Sequence, residues 1–242
     1  MQVPRSIFLF VLLTGVAAAQ AGLDHFRCYT LLGPAVILPD AVALVDQFRT
    51  PQTPIVFAGL GRARFCNPVA KNHNHQESPI LNVNNHLTWY KYIQTPAEPV
   101  RQVLVTNQFG QQQPLTVNQA EFLAVPTRKN AQPAPANLDH FNCYAATGPQ
   151  INDNVGLRDQ FKGDRVRVLR PAYLCNPVHK LHNDVVTEIG NPNAHLVCYT
   201  ISLKKIATQA LIRNQMEAAQ LAIGPTNLLC TPSSKQLQPD VD

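Results

Sequence analysis

The chain has 242 residues, 45% of them hydrophobic and only 14% charged, with 20 prolines, six cysteines and a formal net charge of +5. This length supports a true core in one or two domains, the ordinary apolar content excludes a wholly disordered chain, and neither collagen-like nor heptad periodicity is present. Most polar side chains are uncharged amides, 19 Asn and 20 Gln against 20 Lys+Arg and 15 Asp+Glu.

Residues 1–21 read as a secretory signal. Arg5 gives the positive start, Ile7 to Ala19 the apolar stretch, and Ala19-Gln20-Ala21 a small-x-small cleavage site. No later segment is long and apolar enough for a transmembrane helix, so none is expected after cleavage. The reading places the protein outside the cytoplasm, either secreted or periplasmic and at the cell surface, where an even cysteine count defaults to disulfides. None of the asparagines lies in an N-x-Ser/Thr sequon, which favours a bacterial source. The positive excess is thinly spread, with no run beyond Lys204-Lys205, so no nucleic-acid partner is expected.

The remainder aligns with itself. Leu23-Asp24-His25-Phe26-Arg27-Cys28-Tyr29 returns as Leu138-Asp139-His140-Phe141-Asn142-Cys143-Tyr144. Asp46-Gln47-Phe48 returns as Asp159-Gln160-Phe161, and Cys66-Asn67-Pro68-Val69 as Cys175-Asn176-Pro177-Val178. The duplication predicts two tandem domains, 22–130 and 137–235, with a stiff proline-containing linker at 131–136 and a tail at 236–242. Each domain is doubled again. His25, His86, His140 and His195 open four half-repeats; Asp46, Asn107, Asp159 and Asn214, each followed by Gln, mark their middles; Lys71, Lys129, Lys180 and Lys235 mark their ends.

β-Branched and alternating stretches such as Val103-Leu104-Val105-Thr106 predict about three strands per half-repeat. Lys204 to Ala222 has a helix-forming composition, but its register matches the strand-like Val103 to Val117, and the repeat register assigns it strand. In a strand, Phe26 shares a face with Cys28, while His25, Arg27 and Tyr29 share the other. The Phe/Cys face reads as core.

Trp89 and Ala124 stand in the first domain where the second has Cys198 and Cys230. Joint loss makes those two cysteines partners and leaves Cys28–Cys66 and Cys143–Cys175 as the other pairs. Each bridge closes a loop worth roughly 3–4 kcal/mol in the chain-entropy model. Trp89 is expected to fill the missing bridge's space.

Candidate ligand or metal residues are His73 and His75, two apart in a loop, with His179 and His182 in the second copy. The four opening histidines, repeated in every copy, read as structural. Asp46 and Asp159 interchange with Asn in the neighbouring half-repeats, which suggests a side chain that caps a turn rather than a catalytic carboxylate. No nucleophile elbow, zinc-protease helix or phosphate loop is present, and no cofactor or catalytic residue is expected.

The pattern His140-Phe-x-Cys143-Tyr144, Asp159-Gln160-Phe161, Cys175-Asn176-Pro177-Val178-x-Lys180, His195-Leu-x-Cys198-Tyr199 resembles a family of uncharacterised secreted bacterial domains that carry these motifs in tandem. The resemblance covers nearly the whole chain after the signal, with Trp89 and Ala124 as departures. It implies an extracytoplasmic β-rich module and brings no activity.

The expectation is therefore an all-β protein of two tandem homologous domains, each a small sandwich or barrel of two half-repeats stapled by disulfides. Its role is a non-enzymatic binding or structural module for an extracellular protein or glycan. The alternatives are a metal-assisted hydrolase built on His73 and His75 with a carboxylate such as Glu77, and an inhibitor presenting the Asn-Pro-rich loops.

Overall fold

A computed structural model describes residues 22–49 and 54–238. The signal segment 1–21 and residues 239–242 of the expected tail lie outside the described residues. The first half-repeat contains β1 (Phe26–Leu32), β2 (Ile37–Val45) and β3 (Ile55–Pro68), and a small hairpin of β4 (Ala70–His73) and β5 (Gln76–Ser78) follows it. The second contains β6 (His86–Gln94), β7 (Arg101–Asn107) and β8 (Gly110–Lys129). The third contains β9 (Phe141–Thr147), β10 (Asp153–Arg158) and β11 (Gly163–Pro177), followed by the hairpin of β12 (His179–His182) and β13 (Val185–Thr187). The fourth contains β14 (His195–Lys204), β15 (Thr208–Arg213) and β16 (Ala218–Leu237). No helix occurs among the described residues. The helix-prone segment is strand, because burying Ala210, Ile212, Leu221 and Ile223 on alternate positions outweighs propensity. β16 also runs into the expected tail, to Leu237.

The first and last strands of each half-repeat form a closed antiparallel ring. β1 pairs with β3, β3 with β6, β6 with β8, β8 with β9, β9 with β11, β11 with β14, β14 with β16, and β16 returns to β1. This corrects the expectation of two self-contained domains, since the duplicated halves are the two sides of one barrel. Four strands cannot close around Phe and Trp side chains, whereas about eight leave an interior that side chains just fill. The linker segment at 131–136 and the residue before it are tied to the barrel. Asn130 exchanges hydrogen bonds with Leu211, and Gln132 bonds His86 at 3.0 Å.

The interior carries the expected Phe/Cys face. Phe26, Leu87, Phe141 and Leu196 are buried together with the disulfides Cys28–Cys66, Cys143–Cys175 and Cys198–Cys230. Each bridge joins residues directly opposed on adjacent strands, with Cα atoms 3.9–4.0 Å apart. Trp89 lies opposite Ala124 at the fourth such position, fully buried against Phe122 and Tyr173.

The middle strand of each half-repeat, with the leading part of the long strand after it, forms an arm that clasps the half-repeat opposite. β2 pairs with β12 and β10 with β4, while β7 pairs with the end of β16 and β15 with the end of β8. The outer face of the ring is thereby buried under the chain's own arms, which explains why Tyr29, Tyr90, Tyr144 and Tyr199 are inaccessible.

Candidate functional site

The repeated polar residues converge in four equivalent locks. At the tip of each arm the Asp or Asn bends the chain by accepting a hydrogen bond from the backbone N–H two residues on. Asp46 Oδ1 accepts from Phe48, Asn107 Oδ1 from Phe109, Asp159 Oδ1 from Phe161 and Asn214 Oδ1 from Met216, at 2.8–2.9 Å. The same side chain then reaches the motif tyrosine of the opposite half-repeat. Tyr144 Oη donates to Asp46 Oδ2 at 2.8 Å and Tyr29 Oη to Asp159 Oδ2 at 2.6 Å. Asn107 Nδ2 donates to Tyr199 Oη at 2.8 Å and Asn214 Nδ2 to Tyr90 Oη at 2.9 Å. A phenol both donates and accepts, so Asp and Asn interchange here without loss of the bond.

Three of the locks are completed by a lysine from the preceding half-repeat. Lys71 Nζ lies over the Phe109 ring at 4.7 Å, Lys129 over Phe161 at 4.5 Å and Lys235 over Phe48 at 4.4 Å. Burial lowers these ammonium groups, Lys71 to about 7 and Lys129, Lys180 and Lys235 to about 8. Beside the lysines stand the opening histidines. Burial first, and the adjacent lysine charge second, push His25, His86, His140 and His195 down to about 3, so their imidazoles are neutral. Burial also raises the Asp46 carboxyl above the usual carboxylate range. Asp24 and Asp139 tie down the loops that enter the next half-repeat, accepting from Leu81 and Asn82 and from Gly190 and Asn191.

The loop histidines separate by position. His73 and His182 point inward from β4 and β12 and contact opposite arms, His73 Nε2 to Asp153 at 2.5 Å and His182 Nε2 to Asp40 at 3.0 Å. His75 instead occupies the second position of a tight turn, with φ of 50° at Asn74 and 64° at His75. Its counterpart turn is Asn183-Asp184, with φ of 49° and 60°. A two-residue turn with both φ positive is the hairpin type that matches strand twist, and Asn tolerates it. His73 and His75 are thus divided between a strand and a turn rather than brought onto one chelating face. His179 is exposed and contacts Glu188 at 2.6 Å. Among the described residues no group of three or more His, Cys, Asp or Glu is placed to hold a metal ion.

A cleft of about 380 Å³ opens beside β4 and β5, lined by His73, Asn74, Gln76, Asn107, Gln108, Gly110 and Gln111. Its walls are amides and one imidazole, with no charged lysine or arginine. At the equivalent place across the barrel, Val185, Glu217 and Ala218 replace Gln76, Gly110 and Gln111. There Glu217 is occupied by an ion pair with Arg62 and by a bond from Tyr90 Oη at 3.0 Å. Residue-by-residue reading missed this cleft, because its members come from a hairpin and an arm tip of different half-repeats. The one available signal was the glutamine run 111–113, absent from the fourth half-repeat apart from Gln220.

A family model described as a repeat of unknown function, DUF7450, matches residues 86–232. No curated protein and no solved structure matches the chain.

Proposed function

Because the chain belongs to the DUF7450 repeat family, whose matched segment spans the second, third and fourth half-repeats, we propose a role that resides outside the repeated motifs. The protein is a secreted, non-enzymatic binding module of the extracellular space or cell envelope, and the amide-lined cleft beside β4 and β5 takes a neutral glycan. One observation carries this reading. The tyrosine and the Asp or Asn that recur in every half-repeat are turned inward into the locks, whereas the cleft, beside Asn107 and Gln108, is lined at Gln76, Gly110 and Gln111 by residues that differ from their counterparts. Three buried disulfides support an oxidising location. Uncharged amides paired with an imidazole suit hydroxyl groups, which both donate and accept, better than they suit a charged ligand.

The test is calorimetric titration of the full secreted chain with neutral polysaccharides, alongside a Gln76→Val, Gln111→Ala variant that gives the cleft its counterpart's residues. At least a tenfold loss of affinity in the variant is expected, with little dependence on salt. Equal binding by both proteins overturns the cleft assignment. Cleavage of the polysaccharide would favour the hydrolase reading, for which the His73–Asp153 pair is the nearest support. That pair recurs as His182–Asp40, a repetition that fits a structural clasp between arm and hairpin.

A further inference from the structure

The two small hairpins end the sheet's outward path, and their outer rows differ sharply in chemistry. From β3 through β2 and β12 to β13, the directly opposed residues are Val56, Ala43, Leu181 and Val186. Val56, Leu181 and Val186 are 60%, 44% and 57% exposed. The equivalent row, from β11 through β10 and β4 to β5, is Arg165, Gly156, Asn72 and Glu77. Among the described residues the backbone of each terminal strand pairs with one neighbour, β13 with β12 and β5 with β4. Exposed edges are ordinarily blunted by charge. β5 follows that rule with Glu77, which faces Arg158 at 3.8 Å. β13 does not, being Val185-Val186-Thr187.

We propose that β13 is a self-association edge, pairing antiparallel with β13 of a second copy about a twofold axis through Val186. A second copy is the occupant because the pairing is self-complementary. In this register Val186 meets the partner's Val186, and the four-residue apolar row continues into its own duplicate as a row of eight. Pairing β13 with β5 of another copy would set Val186 against Glu77 and would not close, while β5 against β5 would oppose two glutamates. The geometry therefore yields a closed dimer and not a fibre. The same register places Asp184 opposite the partner's Glu188 at each end of the strand, so salt relieves repulsion and tightens the dimer. A three-residue edge is small for an interface, and the dissociation constant is expected to be on the order of 100 μM.

Sedimentation velocity on the full secreted chain, from about 1 μM to several hundred μM, tests this. A monomer–dimer equilibrium that strengthens with added salt is expected. Val186→Lys and, independently, Leu181→Lys should weaken it at least tenfold without altering thermal unfolding, because both side chains are exposed. Glu77→Lys should leave it unchanged. The proposal is overturned by a monomer at every concentration, by a dimer indifferent to Val186→Lys, by association that weakens with salt, or by open-ended growth.

Discussion

The second half-repeat and the other three place different chemistry at one position of the same barrel. In the first, third and fourth a disulfide spans two adjacent strands inside the ring; in the second, Trp89 packs over Ala124. The strand register on either side is the same, with Leu87 opposite Pro126 as Leu196 is opposite Pro232. The disulfide is therefore not what sets the pairing. The ring demands a filled volume and an unbroken ladder at that level, and either a covalent bridge or a large ring opposite a small side chain supplies it. The outer face shows the opposite behaviour. There all four half-repeats keep the same histidine, tyrosine and lysine, because each lock must fit a partner two half-repeats away.

Conserving the outer face fourfold makes acid the strongest perturbation. The four opening histidines fall from 6.5 to about 3 on folding. Between those values the unfolded chain binds more protons, so stability drops as pH falls, by roughly 2 kcal/mol for each histidine at pH 5. The buried lysines, lowered toward 7 or 8, push the same way between there and about pH 10.5. Circular dichroism against pH should show unfolding in the mildly acidic range. His86→Gln should move that midpoint to lower pH as far as His195→Gln does, and a shift confined to one of them would break the equivalence of the four locks.

Within the ring, Trp89→Ala is expected to cost about 3–5 kcal/mol, through lost burial and the cavity left beside Phe122 and Tyr173. Replacing Cys143 and Cys175 by alanine should cost about 3–4 kcal/mol. Urea titrations of the two variants under the same conditions would measure which filling is stronger. The smallest effect sharpens the comparison from the other side. Met216 stands where three half-repeats have phenylalanine, so Met216→Phe offers Lys180 a ring and should stabilise the protein by about 0.5–1 kcal/mol, read as a rise in Tm.

Much of this was legible in the chain. Repetition predicted the three main strands of each half-repeat but not the hairpins β4–β5 and β12–β13, whose residues read as loops, and the two cysteines missing together from the first half named all three disulfides. The Asp/Asn interchange before Gln pointed to turn-capping side chains, and Asp46 and Asp159 accept hydrogen bonds from the backbone of Phe48 and Phe161. What was not legible was where the last strand of each half goes. β8 meets a nearly identical first strand whether it turns back on its own half or passes on to β9, because duplication makes β1 and β9 alike. Interior volume decides between them, and that is a property of the closed ring rather than of any segment. The cleft was hidden for the same reason, since Gln76 and Gln111 become neighbours only after the arms have crossed.

The order in which the bonds can form follows from where they lie. Every disulfide joins cysteines 32 to 38 positions apart within one half-repeat, whereas β1 meets β16 only at the far end of the chain. The bridges Cys28–Cys66 and Cys143–Cys175 can therefore close while synthesis is still under way, but Cys198–Cys230, the seam and the clasp of β7 on β16 wait for the final strand. Until β16 arrives, the half-repeats already made present open strand edges to their neighbours, and the ring that removes those edges closes last.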